Sequence, residues 1–414
     1  MHAWHVSMSQ NVPPVQSTVR RCTSTRPEDA LLLCCARVCT DAERSERIRA
    51  LLQHDLDWEY LLSMAQRHAL IPLLFRHLNT TCPEAVPSTP WQQLRQRFHS
   101  NARRNLRLTG ELLKLLRLLA THNIPAIPFK GPVLAVAVYG DLTLRQFVDL
   151  DLLVQPQAVL QVKTLLRTQG YQAMLPLRDE QEAAFLRLHH ECAFAHPDGV
   201  GCLDLHWALN RRSWPTPLEL ERVWEGLVPV VVGGQEVLTF APEDTLLALC
   251  IHGTKHLWLK LQWLCDVARL LGTYGSLDWE HAMAQAHALG SARMLYLGLR
   301  LAPDLLGVVL PEEVWRRVQT DPAVPRLAAW VRTLLFQDAQ AVPGILHTAC
   351  FSFLALETLG RRSRDLCDTL LTPTTFDLAL VPLPTALFPL YYAFRPLRLS
   401  GKYTLRLLQR LLGP

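Results

Sequence analysis

Two aspartates, Asp149 and Asp151, interrupt the apolar run FVDLDLLV at residues 147–154. Side chains alternate across a strand, so both carboxylates project to one face while Val148, Leu150 and Leu152 project to the other. An unpaired carboxylate in such surroundings costs roughly several kcal/mol, so the pattern calls for a cation. Two oxygen donors about 7 Å apart along a strand suit a hard divalent ion such as Mg²⁺, with phosphate oxygens and water completing the octahedron. An edge strand with one solvated face is the plainer alternative. A third acid repeats the pattern. In VGCLDLHWAL at residues 200–209, Asp204 shares a face with Cys202 and His206, and Leu203 and Leu205 lie opposite. If the two strands are neighbours, three carboxylates converge, an arrangement that supports metal-assisted attack by an oxygen nucleophile with pyrophosphate as leaving group. Asp204 is then both a ligand and a candidate base.

The segment FKGPVLA, residues 129–135, offers the complementary half of a phosphate site. It delivers Lys130 and Gly131 to the start of a helix, where a close-approach backbone, a positive dipole and an ammonium group meet. Lys-Gly pairs are common in turns, and this one gains weight from Arg145 and the two aspartates that follow within one strand-helix-strand unit. Further along, PEDTLLALCIHGTKHLWLKLQWLCDVARLL, residues 242–271, reads as one helix. Spacings of three or four place His252, His256, Leu259, Trp263 and Asp266 on one face of it. Two histidines at i and i+4 can bind zinc, yet no third ligand is evident nearby. Two readings remain open: the helix lines a cleft, with Trp263 for stacking and Lys255 or the histidines His252 and His256 for phosphate, or it is a core helix whose histidines are satisfied by Asp266 and backbone groups. His190, Glu191 and His206 can support the acids from behind, as can His252 and Asp266.

Several elements have to position these side chains. From Pro27 to Thr121 the apolar spacing is helical, with Asp57 capping WEYLLSMAQRHALIPLLF and one long helix over WQQLRQRFHSNARRNLRLTGELLKLLRLLATH. The period then changes. IPAIPFK reads as a strand, Pro132 opens a helix closed by Tyr139 and Gly140, and FVDLDLLV is the next strand. QAVLQVKTLLRTQG forms a helix ended by Gly170, and YQAML is a strand. Hairpins are expected at Pro197, Asp198 and Gly199 and at Gly233 and Gly234. Helical periodicity returns from Pro242. The expected organisation is therefore a disordered lead-in over residues 1–26, a helical region over 27–121, an α/β core over 122–241, and a helical domain with a basic tail over 242–414. The fold class is α+β: a small mixed sheet flanked by helices.

At 414 residues with 49% hydrophobic composition, the chain is long enough for two or three cores. Its net charge of +5, from 42 basic and 37 acidic residues, shows no basic stripe interleaved with aromatics, so nucleic acid is not favoured as a partner. Eleven cysteines without a C-x-x-C pair point to neither a disulfide framework nor a zinc ribbon, and a reducing cytoplasm fits them. The first 29 residues hold no apolar segment of the kind a signal peptide has. The stretch Leu378–Phe394 is broken by Pro382, Pro384 and Pro389 and is not read as a membrane span. After it, Arg395, Arg398, Lys402, Arg406 and Arg410 alternate with leucines. This tail fits a helix packed on the protein or one resting on an anionic membrane surface.

Taken together, Lys130, Gly131, Tyr139, Arg145, Asp149, Asp151 and Asp204 resemble the signature of the nucleotidyltransferase superfamily typified by DNA polymerase beta. More narrowly, the chain resembles the bacterial branch known as uncharacterised nucleotidyltransferases, often linked with polysaccharide-synthesis loci. The resemblance runs from the tract around Trp58 to the C-terminal RPLRL, and the branch shows a similar H-x-x-K-H pattern. It implies that Asp149 and Asp151 bind Mg²⁺, that Asp204 completes the site, and that the Gly131 turn holds the phosphates of a nucleoside triphosphate. A nucleoside monophosphate would pass to an acceptor hydroxyl, with the acceptor open. One departure stands out: Pro132 replaces the usual serine or glycine after the glycine, removing a backbone donor and a hydroxyl. A toxin-like transferase modifying RNA or protein, and a non-catalytic helical scaffold at a membrane assembly, are the rival readings.

Overall fold

The computed structural model describes residues 26–38, 41–175, 179–199, 201–209, 220–337, 344–381 and 383–412. Apart from Arg26, the lead-in expected over residues 1–26 lies outside them. Five helices come first: α1 (Pro27–Ala36), α2 (Asp41–Leu51), α3 (Trp58–Arg67), α4 (Ile71–Thr81) and α5 (Ser88–Thr121). Asp57 caps α3 by accepting from the Tyr60 N–H at 2.9 Å. The apolar run beyond it is two helices rather than one: Ala69 turns left-handed at φ 57°, and Pro72 restarts the chain in the first turn of α4, where its missing N–H is harmless.

The α/β unit follows as β1 (Ala126–Pro128), α6 (Gly131–Tyr139), β2 (Asp149–Val154), α7 (Val159–Thr168), β3 (Gln172–Ala173), α8 (Asp179–Leu188), β4 (Glu191–Ala195) and β5 (Cys202–His206). Its sheet has the order β1-β2-β5-β4-β3, with β2 and β5 parallel and the other pairs antiparallel. After α9 (Leu220–Glu225), a separate hairpin of β6 (Val228–Val232) and β7 (Gln235–Thr239) turns on Gly233 and Gly234, both at positive φ as a two-residue turn of this hand requires. The hairpin joins the main sheet through the Thr239 hydroxyl, which donates to the Pro128 carbonyl at 2.7 Å.

Ten helices complete the described chain: α10 (Pro242–Lys255), α11 (Leu261–Thr273), α12 (Trp279–Ala288), α13 (Ala292–Leu306), α14 (Glu312–Gln319), α15 (Val324–Leu335), α16 (Ile345–Ala355), α17 (Leu359–Leu371), α18 (Thr375–Leu380) and α19 (Tyr391–Leu412). The stretch expected to be one helix over residues 242–271 breaks after Lys255. Leu257 and Trp258 both take left-handed backbone, and the Trp258 ring folds back over Gly253, where a Cβ would lie 2.5 Å from the ring. Glycine is needed there for space. The helices before and after the α/β unit share one apolar core, which runs from Leu31 through Leu261 to Leu356, whereas a second core under the sheet gathers Leu152, Phe194 and Leu205. Helix α5 serves both, through Leu94 in the first and Leu108 to Leu119 in the second. The C-terminal segment also closes on the second core with Leu378, Phe388 and Tyr391. In α19, Arg395 and Arg398 hold Asp377 at 2.8 and 2.6 Å. The side chains of Lys402, Arg406 and Arg410 lie outside the described residues. No helix among the described residues is long and apolar enough to cross a membrane.

Candidate active site

Strand β2 begins at Asp149, so Val148 escapes the apolar face expected for it and is 49% exposed, while Leu150 and Leu152 are buried. The parallel register sets Asp151 opposite Asp204 and Leu153 opposite His206. One sheet face thus collects Asp149, Asp151, Asp204 and His206. Antiparallel pairing adds Glu191, directly across from His206. Helix α6 begins at Gly131, immediately after Lys130. Gly131 sits at φ 54°, close to the Asp149 carbonyl, a backbone setting that glycine alone adopts cheaply.

These groups line a cleft of about 590 Å³ between the sheet and helices α10 and α11. Lys130, Arg145, Asp149, Asp151, His190, Glu191, Asp204, His206, His252, Lys255, His256 and Trp263 all border it, whereas Gly131 and Asp266 do not. The Lys130 ammonium lies 2.7 Å from Asp151 Oδ1, and His206 Nε2 lies 3.2 Å from that same oxygen. His206 Nδ1 faces Glu191 Oε2 at 3.3 Å, and the Phe129 ring meets the imidazole edge-on at 5.1 Å. Although the expected single helix is broken, the rings of His252, His256 and Trp263 still cluster, with centroids 4.6 to 5.4 Å apart. The loop between α10 and α11 brings them together, not a helical face.

Arg145 and Asp266 have a different place from the one expected. Arg145 Nε and Nη2 grip the two oxygens of Asp266 at 2.9 and 3.0 Å, and the Tyr139 hydroxyl donates to Oδ1 at 2.7 Å. The pair is buried, so Nε and Nη2 of Arg145 are engaged in fixing the α/β unit to α11, and Arg145 meets the cleft only at its border. Asp266 consequently does not satisfy the histidines. Sequence reasoning overlooked Gln262, whose amide donates to the Gln146 carbonyl at 2.8 Å on the cleft wall, and Lys260, whose ammonium lies 5.6 Å from the Trp263 ring centre. A glutamine and a lysine in a helix-forming stretch carry no spacing signal.

The electrostatics show what the site lacks. Burial pushes the Asp149 carboxyl up, and the charge of Asp151 pushes it further. Burial likewise raises Asp204, with Asp151 adding to the effect, to about 6. For Asp151, burial acts upward, but Lys130 and His206 outweigh it and hold the carboxyl well below the usual range. Burial acts to lower the Lys130 ammonium, and Asp151 more than offsets that, leaving it raised. Glu191 is brought to about 2 because His206 and Lys255 overcome its desolvation. Three acids on one face with one close lysine leave negative charge in excess, and a divalent cation would relieve it. The donors fit one: ligand atoms of Asp151, Asp204 and His206 lie within 4.8 Å of one another.

Residues 54–307, more than half of the chain, match the model of a family described as uncharacterised nucleotidyltransferases. The chain belongs to this family. None of the curated proteins matches it. Among solved structures, this nucleotidyltransferase is similar to the antibiotic-resistance factor ANT(2'')-Ia, at 15% identity over 47% of this chain and 96% of that one, with a TM-score of 0.32. It is also similar to an antigenic nucleotidyltransferase-like protein from Paracoccidioides brasiliensis, at 15% identity over 50% of this chain and 96% of that one, with a TM-score of 0.31.

Proposed function

We propose that the cleft binds a nucleoside triphosphate with a magnesium-type divalent ion and transfers the nucleoside monophosphate to an acceptor hydroxyl. The observation that carries this reading is the parallel pairing of β2 with β5, which sets Asp151 and Asp204 side by side next to Asp149 and the start of α6. Asp149, Asp151 and Asp204 would hold the metal, which when bound neutralises phosphate charge and favours departure of pyrophosphate. The acceptor oxygen attacks the α-phosphorus, the bond to the pyrophosphate oxygen breaks, and the acceptor proton needs a base. Asp204, on the face with Asp149 and Asp151, is the candidate for that task, whereas Glu191, held at about 2 by His206 and Lys255, is a poor base.

Lys130 is placed to exchange Asp151 for a phosphate oxygen, and Lys255 and His256 border the cleft opposite the acids. The Trp263 face, beside His252 and His256, offers a surface for the nucleobase. The cleft has room for a nucleotide and a small acceptor, and the resemblance to proteins of polysaccharide-synthesis loci favours a sugar hydroxyl. Calorimetric titration of each nucleoside triphosphate, with and without Mg²⁺, tests the reading. Metal-dependent binding that Asp149→Ala abolishes is expected, and binding unchanged in that variant would overturn it.

A separate observation favours peripheral membrane contact by the C-terminal segment. Leu359, Leu366, Phe376, Leu380, Leu390 and Leu397 are all more than 40% exposed. Residues 359–414 carry eight basic and three acidic side chains, an excess equal to that of the whole chain. Sedimentation with anionic vesicles is expected to pull the protein down, and no binding at low salt removes this element.

A further inference from the structure

We propose that His206 is a nitrogen ligand of the metal in this site, held in register by Glu191, and that it turns the preference of the site from magnesium toward manganese. The proposal rests on the metal-dependent transfer reading above and sharpens it. His206 is buried, 4% exposed, and each of its ring nitrogens faces a carboxylate. Nε2 looks into the acid cluster, 3.2 Å from Asp151 Oδ1, and Nδ1 looks away from it toward Glu191 Oε2 at 3.3 Å.

Metal-bound histidines are commonly arranged in this way: one nitrogen aims at the ion and the other donates its hydrogen to a carboxylate that fixes the tautomer and the ring plane. Here the plane has two further constraints. Glu191 is the cross-strand partner of His206 in the β4–β5 ladder, and the Phe129 ring abuts the imidazole. Nδ1 makes no hydrogen bond of good geometry, which is the nitrogen a ligating Nε2 would leave protonated and turned to Glu191. The ligand atoms of Asp151, Asp204 and His206 span no more than 4.8 Å, a gap that bonds of about 2 Å to one ion close with small side-chain adjustments.

The metal preference follows from the donor set. Mg²⁺ takes oxygen ligands and gives up water reluctantly, whereas an imidazole nitrogen suits first-row transition ions. Mn²⁺ accepts carboxylate and water as readily as Mg²⁺ does and lies on the transition-metal side of the divide. Adding the His206 imidazole to the carboxylates of this site therefore favours Mn²⁺ over Mg²⁺.

The test uses the full chain and Mn²⁺ itself as the probe. Electron paramagnetic resonance titration measures Mn²⁺ affinity, competition measures Mg²⁺, and pulsed measurements read nitrogen coupling to bound Mn²⁺. The expected result is Mn²⁺ bound more tightly than Mg²⁺, with nitrogen coupling that His206→Gln removes. Glu191→Gln is expected to keep the coupling while weakening Mn²⁺ by about 10- to 100-fold. Mn²⁺ bound at a site that Asp151→Asn abolishes, but without nitrogen coupling in the unmodified protein, overturns the proposal and leaves the transferase reading intact. Coupling that survives His206→Gln assigns the nitrogen to another histidine and overturns it too. Absence of any Mn²⁺ binding, with or without nucleoside triphosphate, sinks both readings. Because the unmodified protein alone can give the deciding negative, a poorly folded His206→Gln variant does not protect the idea.

Discussion

Asp151 and Asp266 are both buried carboxylates facing a cation, yet they have opposite balances. Asp266 has a bidentate guanidinium from Arg145 and a hydroxyl from Tyr139, so both of its oxygens are met. Asp151 shares one lysine and one histidine with Asp149 and Asp204, and the three acids raise one another's cost. The first arrangement is closed and belongs to the scaffold. In the second, Lys130 and His206 hold Asp151 down while Asp149 and Asp204 are pushed up, and that unmet charge supports the proposed metal site.

The largest effects should fall on opposite properties. Asp266→Ala strands a buried guanidinium, and denaturant unfolding should show a loss of about 3–5 kcal/mol. Asp151→Asn keeps the shape but gives up the pairing with Lys130 and His206 that holds this carboxyl down, a loss partly offset by the relief of Asp149 and Asp204, so its cost should be the smaller of the two, about 1–2 kcal/mol. Its transfer rate should instead fall about 10³-fold, ~4 kcal/mol of activation free energy. If both variants unfold alike, the distinction between lock and site is lost.

A smaller, pH-dependent contrast comes from Asp204. Its folded pKa of about 6 stands above the ordinary carboxyl value, so its contribution to stability is present below about pH 4 and is lost as pH rises through 6. Relative to Asp204→Asn, the metal-free protein should therefore lose stability between pH 4 and 7. Metal affinity must run the other way, because binding needs the carboxylate: about a tenfold gain from pH 5 to pH 7 is expected for this one group. Thermal melts and metal titrations on the same samples check both signs, and parallel trends would show that Asp204 does not control the metal.

The three acids were legible in the sequence because carboxylates at period two on one face of an otherwise apolar strand are costly unless a cation meets them. Both hairpins were legible through Gly199, Gly233 and Gly234, whose positive φ values the turns require. The parallel pairing of β2 with β5 was only a supposition, since about fifty intervening residues carry no signal of register. The break after Lys255 was hidden because Leu257 and Trp258 look helical and turn only when Trp258 finds the space over Gly253. The ion pair of Arg145, read as a phosphate or supporting residue, was hidden because its partner Asp266 lies 121 residues away in another helix. The helical regions on either side of the α/β unit read as separate, yet they share a core, a tertiary fact that helix periodicity does not encode.

The smallest effect sharpens the comparison most, because Gly131 touches the site without carrying charge. A Cβ there would lie 3.4 Å from the Asp149 carbonyl, an ordinary contact, so Gly131→Ala suffers mainly the left-handed backbone penalty of about 1 kcal/mol. Calorimetry should show metal-only binding unchanged, because Asp151 and Asp204 keep their register on the sheet. Triphosphate affinity should fall several-fold if the start of α6 meets phosphate, since strain at φ 54° tilts that first turn away from Asp149. A loss of stability with no change in triphosphate affinity would make the Gly-Pro turn part of the scaffold, beside Arg145 and Asp266, and would leave phosphate recognition to Lys130 and Lys255.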